Sequence, residues 1–293
     1  MEQKDGPLTV RTRHIGTAGE PEDDTVYVEY NRLLVAPEYR EWFAGVVIAY
    51  MASDPDWDRI HFDGFLADAA ALLTAIEPGF GVQRVPSFFF DLRKARESGT
   101  DVISGLGQAT RKNLRTNLTD YGAIQTDWAE DEEQAECIWN DLVRLHQQRW
   151  RALGKPGVFA SRRFCSFHRE FIRQLLPRGQ VVLFRARQGE NVIGCLYALV
   201  EQNRLLVYQC GSAPYSNHKL SPGLVTDYLL MEESLRRGFD AYDFLAGTSQ
   251  HKQKLSTSSN ELVWGSLQRP RWKFAMLESL RDIKRRWRTW HSG

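Results

Sequence analysis

Apolar and polar positions follow two periods along this chain. From Gln180 to Gly211, QVVLFRARQGENVIGCLYALVEQNRLLVYQCG holds three segments rich in β-branched and aromatic residues, separated by Gln188-Gly189-Glu190 and Gln202-Asn203. That pattern predicts three antiparallel strands joined by tight turns. SPGLVTDYLLMEESLRRG (Ser221 to Gly238) predicts a helix, with Pro222 and Gly223 near its start and Gly238 closing it. The next strand, around Tyr242-Asp243-Phe244-Leu245, ends on a carboxylate and runs into a Gly-containing cationic loop, AGTSQHKQKL. Helical spacing upstream predicts a basic helix over 109–118, a long one over 130–153 with Glu130, Asp131, Glu132 and Glu133 at the positive end of its dipole, and another over 161–176 before Pro177.

The N-terminal third reads differently. Residues 1–24 lack apolar periodicity and are broken by Gly6, Pro7, Gly16, Gly19 and Pro21, the pattern of a frayed tail. TVYVEYNRLLVA then predicts a strand, 38–53 a helix, WDRIHFDGF a strand, 66–77 a helix and VQRVPSFFFDL an extended segment. Together they make an incomplete β-α-β-α-β layer, which residues 91–125 link to the C-terminal helices and strands. No internal repeat or low-complexity segment occurs.

A length of 293 residues with 42% hydrophobic positions suits two domains. The balance of 38 basic and 37 acidic side chains leaves a formal charge of +1, so any attraction to an anionic partner must be local. No apolar run approaches the roughly 18 residues of a membrane span, and the first 25 residues lack a signal-peptide core, so a cytoplasmic location is expected. Cys137, Cys165, Cys195 and Cys210 show no metal-ligand or disulfide spacing and are expected to be reduced, with no metal site. Cys195 and Cys210, nearly symmetric about the Gln202-Asn203 turn, are expected as buried thiols facing each other.

Charge asymmetry is confined to the C-terminus. Residues 269–293 carry eight Arg or Lys against Glu278 and Asp282, that is 8 − 2 = +6. Met276, Leu280, Ile283, Trp287 and Trp290 recur there at helical spacing opposite Arg281, Lys284, Arg285 and Arg288. The readings are a basic amphipathic helix docked on its own domain, weak contact with the inner membrane face, or nucleic-acid binding.

G-x-S-x-G, HExxH, Walker A and GxGxxG motifs are absent, which removes the hydrolase, zincin, P-loop and dinucleotide readings. Strand alternation turns Asp243 away from Tyr242 and Phe244. Asp243 is then either a group that accepts a substrate proton or a structural partner for the Gly247 loop, Arg111 or Arg115. His146 and Trp150, four apart, share a helix face, with His146 either in a cleft or packed in the core.

The order strand-turn-strand-turn-strand-loop-helix-strand, with its D-F-L-x-G…K ending, resembles the acyltransferase half of the GNAT superfamily. More narrowly it resembles the CelD/BcsL-type acetyltransferases, relatives of the FemAB aminoacyltransferases. The resemblance implies an α/β fold with a mixed, largely antiparallel sheet flanked by helices over 109–268. It also implies an abbreviated second GNAT-like half over 25–108, between the tail (1–24) and the C-terminal helix (269–293). It implies a pantetheine arm beside an open edge of the 204–211 strand, which contains Tyr208, and a pyrophosphate at the helix start formed by Ser221, Gly223 and Leu224, aided by Lys219 and His218. The Q/R-x-x-G-x-G/A loop of acetyl-CoA-using relatives is absent, and Gly223 is its nearest counterpart. Lys252, or Lys254, matches the motif's terminal lysine and suits a phosphate or a developing oxyanion. His146, Arg149 and Trp150 match an H-x-x-R-W pattern, and Arg111, Lys112 and Arg115 a basic segment that is either an anion site or a solvated face.

The expected activity is transfer of an acetyl or other acyl group from coenzyme A to an amine or hydroxyl of a small molecule, saccharide or cell-envelope precursor, with Asp243, His146 and Lys252 as catalytic candidates. The alternatives are aminoacyl transfer, in which aminoacyl-tRNA is the nucleic-acid partner, and a non-catalytic module of polysaccharide synthesis.

Overall fold

The computed structural model describes residues 2–5, 8–17, 20, 24, 26, 28–214 and 220–276. The chain divides into two compact units, one comprising Met1–Pro21, Tyr27–Arg84 and Leu262–Gly293, the other Glu22–Val26 and Val85–Glu261. The boundaries fall inside strands β4 (Gly81–Asp91) and β10 (Ser258–Gln268), not at the helical segment near residue 109 where the sequence suggested a division.

In the first unit, β1 (Glu2–Asp5) pairs antiparallel with β2 (Leu8–Ile15). β2 lies parallel to β3 (Arg59–Leu66), and β3 pairs antiparallel with residues 262–268 of β10. Helices α1 (Arg40–Ser53) and α2 (Ala67–Ile76) cover a core of Ala44, Ile48, Trp57, Ile60, Phe62, Phe65, Leu73, Phe80 and Val263. Two sequence expectations are corrected here. Residues of the segment read as a frayed tail form β1 and β2, whereas among the described residues of TVYVEYNRLLVA only Asn31 makes a bridge, to Phe65. The buried face of β2 carries only Val10 and Thr12, too little apolar signal to mark a strand. Polar contacts fix it instead: buried Asp58 accepts the Arg11 amide at 2.8 Å and pairs with Arg271 (3.2 Å) and Lys273 (2.5 Å). Only the first residues of the C-terminal helix expectation are described, and Leu280 to Trp290 lie outside the described residues.

The second unit holds a sheet in the order β4-β9-β8-β7-β6-β5, with β5 (Gln125–Trp128), β6 (Val181–Gln188), β7 (Asn191–Glu201), β8 (Arg204–Ser212) and β9 (Ala241–Ala246). β5 to β8 form an antiparallel meander, and β8 and β9 are parallel. Gln202 and Asn203 both take positive φ (49° and 60°), the hairpin turn expected of that pair. Alternate strand residues face two cores. On one face α6 (Glu132–Ala152) and α7 (Arg162–Leu175) pack on Val181, Leu183, Cys195 and Tyr197. On the other, α3 (Leu92–Glu97), α4 (Val102–Gly105), α5 (Gln108–Tyr121) and α8 (Pro222–Arg236) pack on Val182, Phe184, Leu196, Ala198 and Leu205. Asp131 caps α6 by accepting the Gln134 amide (2.8 Å), with Glu132 and Glu133 in the first turn and Arg149 and Arg151 in the last, matching both ends of the dipole.

Candidate active site

The site begins with a break in hydrogen bonding. β8 pairs with β7 as far as Ser212, but its parallel pairing with β9 stops at Leu206↔Asp243. Beyond that point Val207–Ser212 and Phe244–Ala246 part, and the β8 backbone on that side lies outside the ladder with β9. The β7–β8 register skips Tyr208, so β8 bulges at the same place, as strands do where they turn backbone groups toward a site. Gly211 lets α6 come close on one face, since a Cβ there would stand 2.8 Å from the Leu142 carbonyl.

β9 is bent away by its own end. Leu245 takes φ 61°, a left-handed conformation that a leucine adopts only when its surroundings hold it. Asp243 accepts the Leu245 amide (2.8 Å), while Lys252, in α9 (Gln250–Lys254), donates to the Leu245 and Ala246 carbonyls at 3.1 and 2.6 Å. Asp243 is fully buried, accepts the Ser87 hydroxyl (2.8 Å) and pairs with Arg204 at 2.6 Å. These contacts place Asp243 and Lys252, both expected as catalytic groups, in structural contacts at the strand end. A carboxylate closed off from solvent and engaged by three donors is an anchor for the strand end, and the lysine ammonium is aimed at backbone.

His146 is also an interior residue. It is packed edge-on against Phe159 at 4.7 Å, tilted against Trp150 and bonded through Nδ1 to Gln147 Oε1, and burial lowers its pKa to about 4. These contacts are those of a core-facing histidine. Tyr208 is half-buried, stacked on Phe164 and packed on His168 and Tyr197. Leu224 sits in the core. Ser221 is the N-cap residue of α8 and Pro222 its first helical residue, in line with the capping pattern of the sequence, but the Ser221 side chain makes no cap bond. Its amide is held by buried Asn117 of α5 (2.5 Å). Gly223 is open apart from the Ser212 hydroxyl, 3.3 Å from where a Cβ would lie. Lys219 and His218 lie outside the described residues. Beside this helix start is a pocket of about 550 Å³, lined by Arg144, Gln148, Gln188, Asn191, Leu220 and Pro222 among others.

One constellation joins His251 of the cationic loop and Tyr242 of the strand before it to Asp227, a residue that the sequence did not single out. His251 Nε2 donates to Asp227 Oδ2 at 2.6 Å, and the buried Tyr242 hydroxyl donates to Asp227 Oδ1, also at 2.6 Å. Burial works to lower the His251 pKa, and the hydrogen bond and charge of Asp227 override it, so the net shift is upward. Cys210 of β8 and His251 both keep accessible surface, yet burial is the largest influence on both pKa values. Burial, and after it the Asp227 charge, raise the Cys210 thiol to about 11. Cys195 lies opposite Gly211 and is buried, whereas Cys210 lies opposite Leu196 and is exposed, so the expected facing pair of buried thiols does not form. Among the described residues, no group of three or more His, Cys, Asp or Glu side chains is arranged to hold a metal ion.

Residues 108–253 match the family model described as "Acetyltransferase (GNAT) domain". Among solved structures the chain is similar to FemX, at 12% identity and a TM-score of 0.57 over 82% of this chain and 79% of that one. It is likewise similar to L-PGS from Bacillus licheniformis, at 11% identity and 0.53 over 81% and 77%. Identities this low establish the fold alone. No curated protein matches by sequence. Fold and family model together define the class of this segment: a GNAT-type acyltransferase domain, a class whose general cosubstrate is an acyl-coenzyme A.

Proposed function

We propose that residues 85–261 transfer an acetyl group from acetyl-CoA to an amine or hydroxyl, within the CelD/BcsL-type branch of the GNAT acyltransferases. The parting of β8 and β9 carries this reading. A pantetheine arm is a chain of amides, and the β8 backbone beyond Leu206, outside the β9 ladder, supplies the matching donors and acceptors. The α8 start suits the pyrophosphate: first-turn amides point outward there, the Ser221 side chain leaves them uncapped, and Gly223 opens the approach. In the bound complex the thioester would lie in the opening between the two strands, and the chain's own task is to position it and to manage the acceptor's proton. A saccharide or cell-envelope precursor is the acceptor class we favour.

The test is thermal unfolding with acetyl-CoA, which should raise the melting temperature by mass action. Gly223→Asp, which sets a carboxylate in the pyrophosphate's path, should abolish the shift. The absent Q/R-x-x-G-x-G/A loop favours a second reading, aminoacyl transfer from aminoacyl-tRNA. No stabilisation by millimolar acetyl-CoA together with retention of aminoacyl-tRNA on the protein would establish it.

A further inference from the structure

We propose that His251, oriented by Asp227 and Tyr242, is the base that removes the acceptor's proton; this rests on the acyl-transfer reading of the same opening. The three groups come from separate elements, Asp227 from the second turn of α8, Tyr242 from β9 and His251 from α9, and two bonds of 2.6 Å join them. An ionised carboxylate only accepts, so Nε2 of His251 carries the hydrogen and Nδ1 holds the lone pair. Nδ1 makes no hydrogen bond among the described residues, and the ring remains 47% exposed. Tyr242 satisfies the other carboxylate oxygen from inside the core, which fixes Asp227 and through it the plane of the imidazole.

The dyad lies beside the parted end of β9: the His251 ring packs edge-on to Phe244, the first β9 residue beyond the pairing with β8, at 6.2 Å. The groups that act on His251 are Asp227 from α8, the Phe244 ring from β9, Arg149 from α6 and Lys252 from its own helix, while Tyr242 of β9 holds the other oxygen of Asp227.

In the step itself the acceptor nitrogen or oxygen bonds to the thioester carbon as Nδ1 takes its proton, and the carbon–sulfur bond breaks. The electron pair of that bond stays on sulfur, and the imidazolium returns the proton to the leaving thiolate. Asp227 keeps its charge throughout and stabilises the transient imidazolium.

The experiment measures CoA release from acetyl-CoA across pH 5 to 9, with ethanolamine as the acceptor probe. The wild type should lose activity as pH falls through the raised His251 pKa. His251→Gln should lower turnover by about 100- to 10,000-fold and abolish that limb, with acetyl-CoA affinity unchanged by calorimetry. Asp227→Asn should move the limb to lower pH, because burial, Arg149 and Lys252 then act on the imidazole unopposed; a purely structural Asp227 would leave it in place. An unaltered pH profile in His251→Gln overturns the proposal. Failure of the wild type to bind acetyl-CoA overturns the donor assignment instead. The dyad is then decided by NMR titration, with an imidazole above its ordinary pKa in the wild type and below it in Asp227→Asn upholding the device, and equal titration in both removing it.

Discussion

At the scale of single residues, the same side-chain types carry opposite roles according to what surrounds them. Asp243 and Asp227 are both buried carboxylates near the parting of β8 and β9. Asp243 spends its oxygens on Arg204, Ser87 and the Leu245 amide, all inside the fold. Asp227 holds an accessible histidine. Asp243→Asn should therefore cost stability rather than acetyl-CoA affinity, on the order of 3 kcal/mol, because Arg204 loses its counter-charge and Leu245 a support for its left-handed backbone. Urea unfolding measures this, and a fully stable variant with lost turnover would return Asp243 to a catalytic role. The sequence pointed to Asp243 because it ends a strand, a visible position. Asp227 had a fainter signal, a carboxylate sharing a helix face with Leu230, Met231 and Ser234, all buried. A charge on such a face must find partners, but only the topology brings Tyr242 and His251 to it.

At the scale of elements, long periodic segments were legible and short or polar ones were not. The predicted boundaries of α6, α7 and α8 fall within a few residues of those observed, since apolar spacing, acidic first turns and Gly238 at φ 84° all agree. β1 and β2 were illegible because their pairing rests on backbone and on Asp58 rather than on an apolar face. Elements also differ in how they meet acid. α6 and α7 dock on the sheet through interior histidines: His146, and His168, which is bonded to the Tyr197 hydroxyl (3.1 Å) and walled by Trp139 and Phe164. Burial lowers both to about 4. In the unfolded chain they titrate near 6.5, so above that pH neither state binds the proton and stability is complete. As pH falls from 6.5 towards 4 the unfolded chain takes up protons that the fold refuses, a loss of up to ~3 kcal/mol per histidine. Urea midpoints should drop steeply over that window, and less steeply in His168→Phe. An equal slope in the variant would show that His168 is protonated within the fold.

At the scale of the whole molecule, the order of the chain sets which end can be cut. The first unit contains both the start of the chain and the segment from Leu262 onward, so it closes only after the second unit has been made. Its two ends meet at Asp58: Arg11 from β2 gives a backbone hydrogen bond, Arg271 and Lys273 give charge, and together these contacts hold the carboxyl below its ordinary pKa against its own burial. Arg269 and Arg271 also bond to the carbonyls of Ala52, Asp54, Pro55 and Trp57, and the Phe274 ring is buried. The basic character of the C-terminal segment thus serves two separate ends, internal pairing up to Lys273 and a further run of cations beyond Met276. Deleting 270–293 should destabilise the first unit by several kcal/mol, about 3 from the unpaired Asp58 charge alone. Deleting 277–293 should leave its unfolding unchanged. The same pair of deletions isolates any weak binding to anionic vesicles at low salt, worth up to about 1 kcal/mol per basic residue near the surface. If the cations beyond Met276 face lipid, the shorter deletion abolishes vesicle binding at full stability. If instead the shorter deletion lowers the melting temperature as far as the longer one, those cations and their apolar neighbours belong to the fold of the first unit, and no lipid role remains for them.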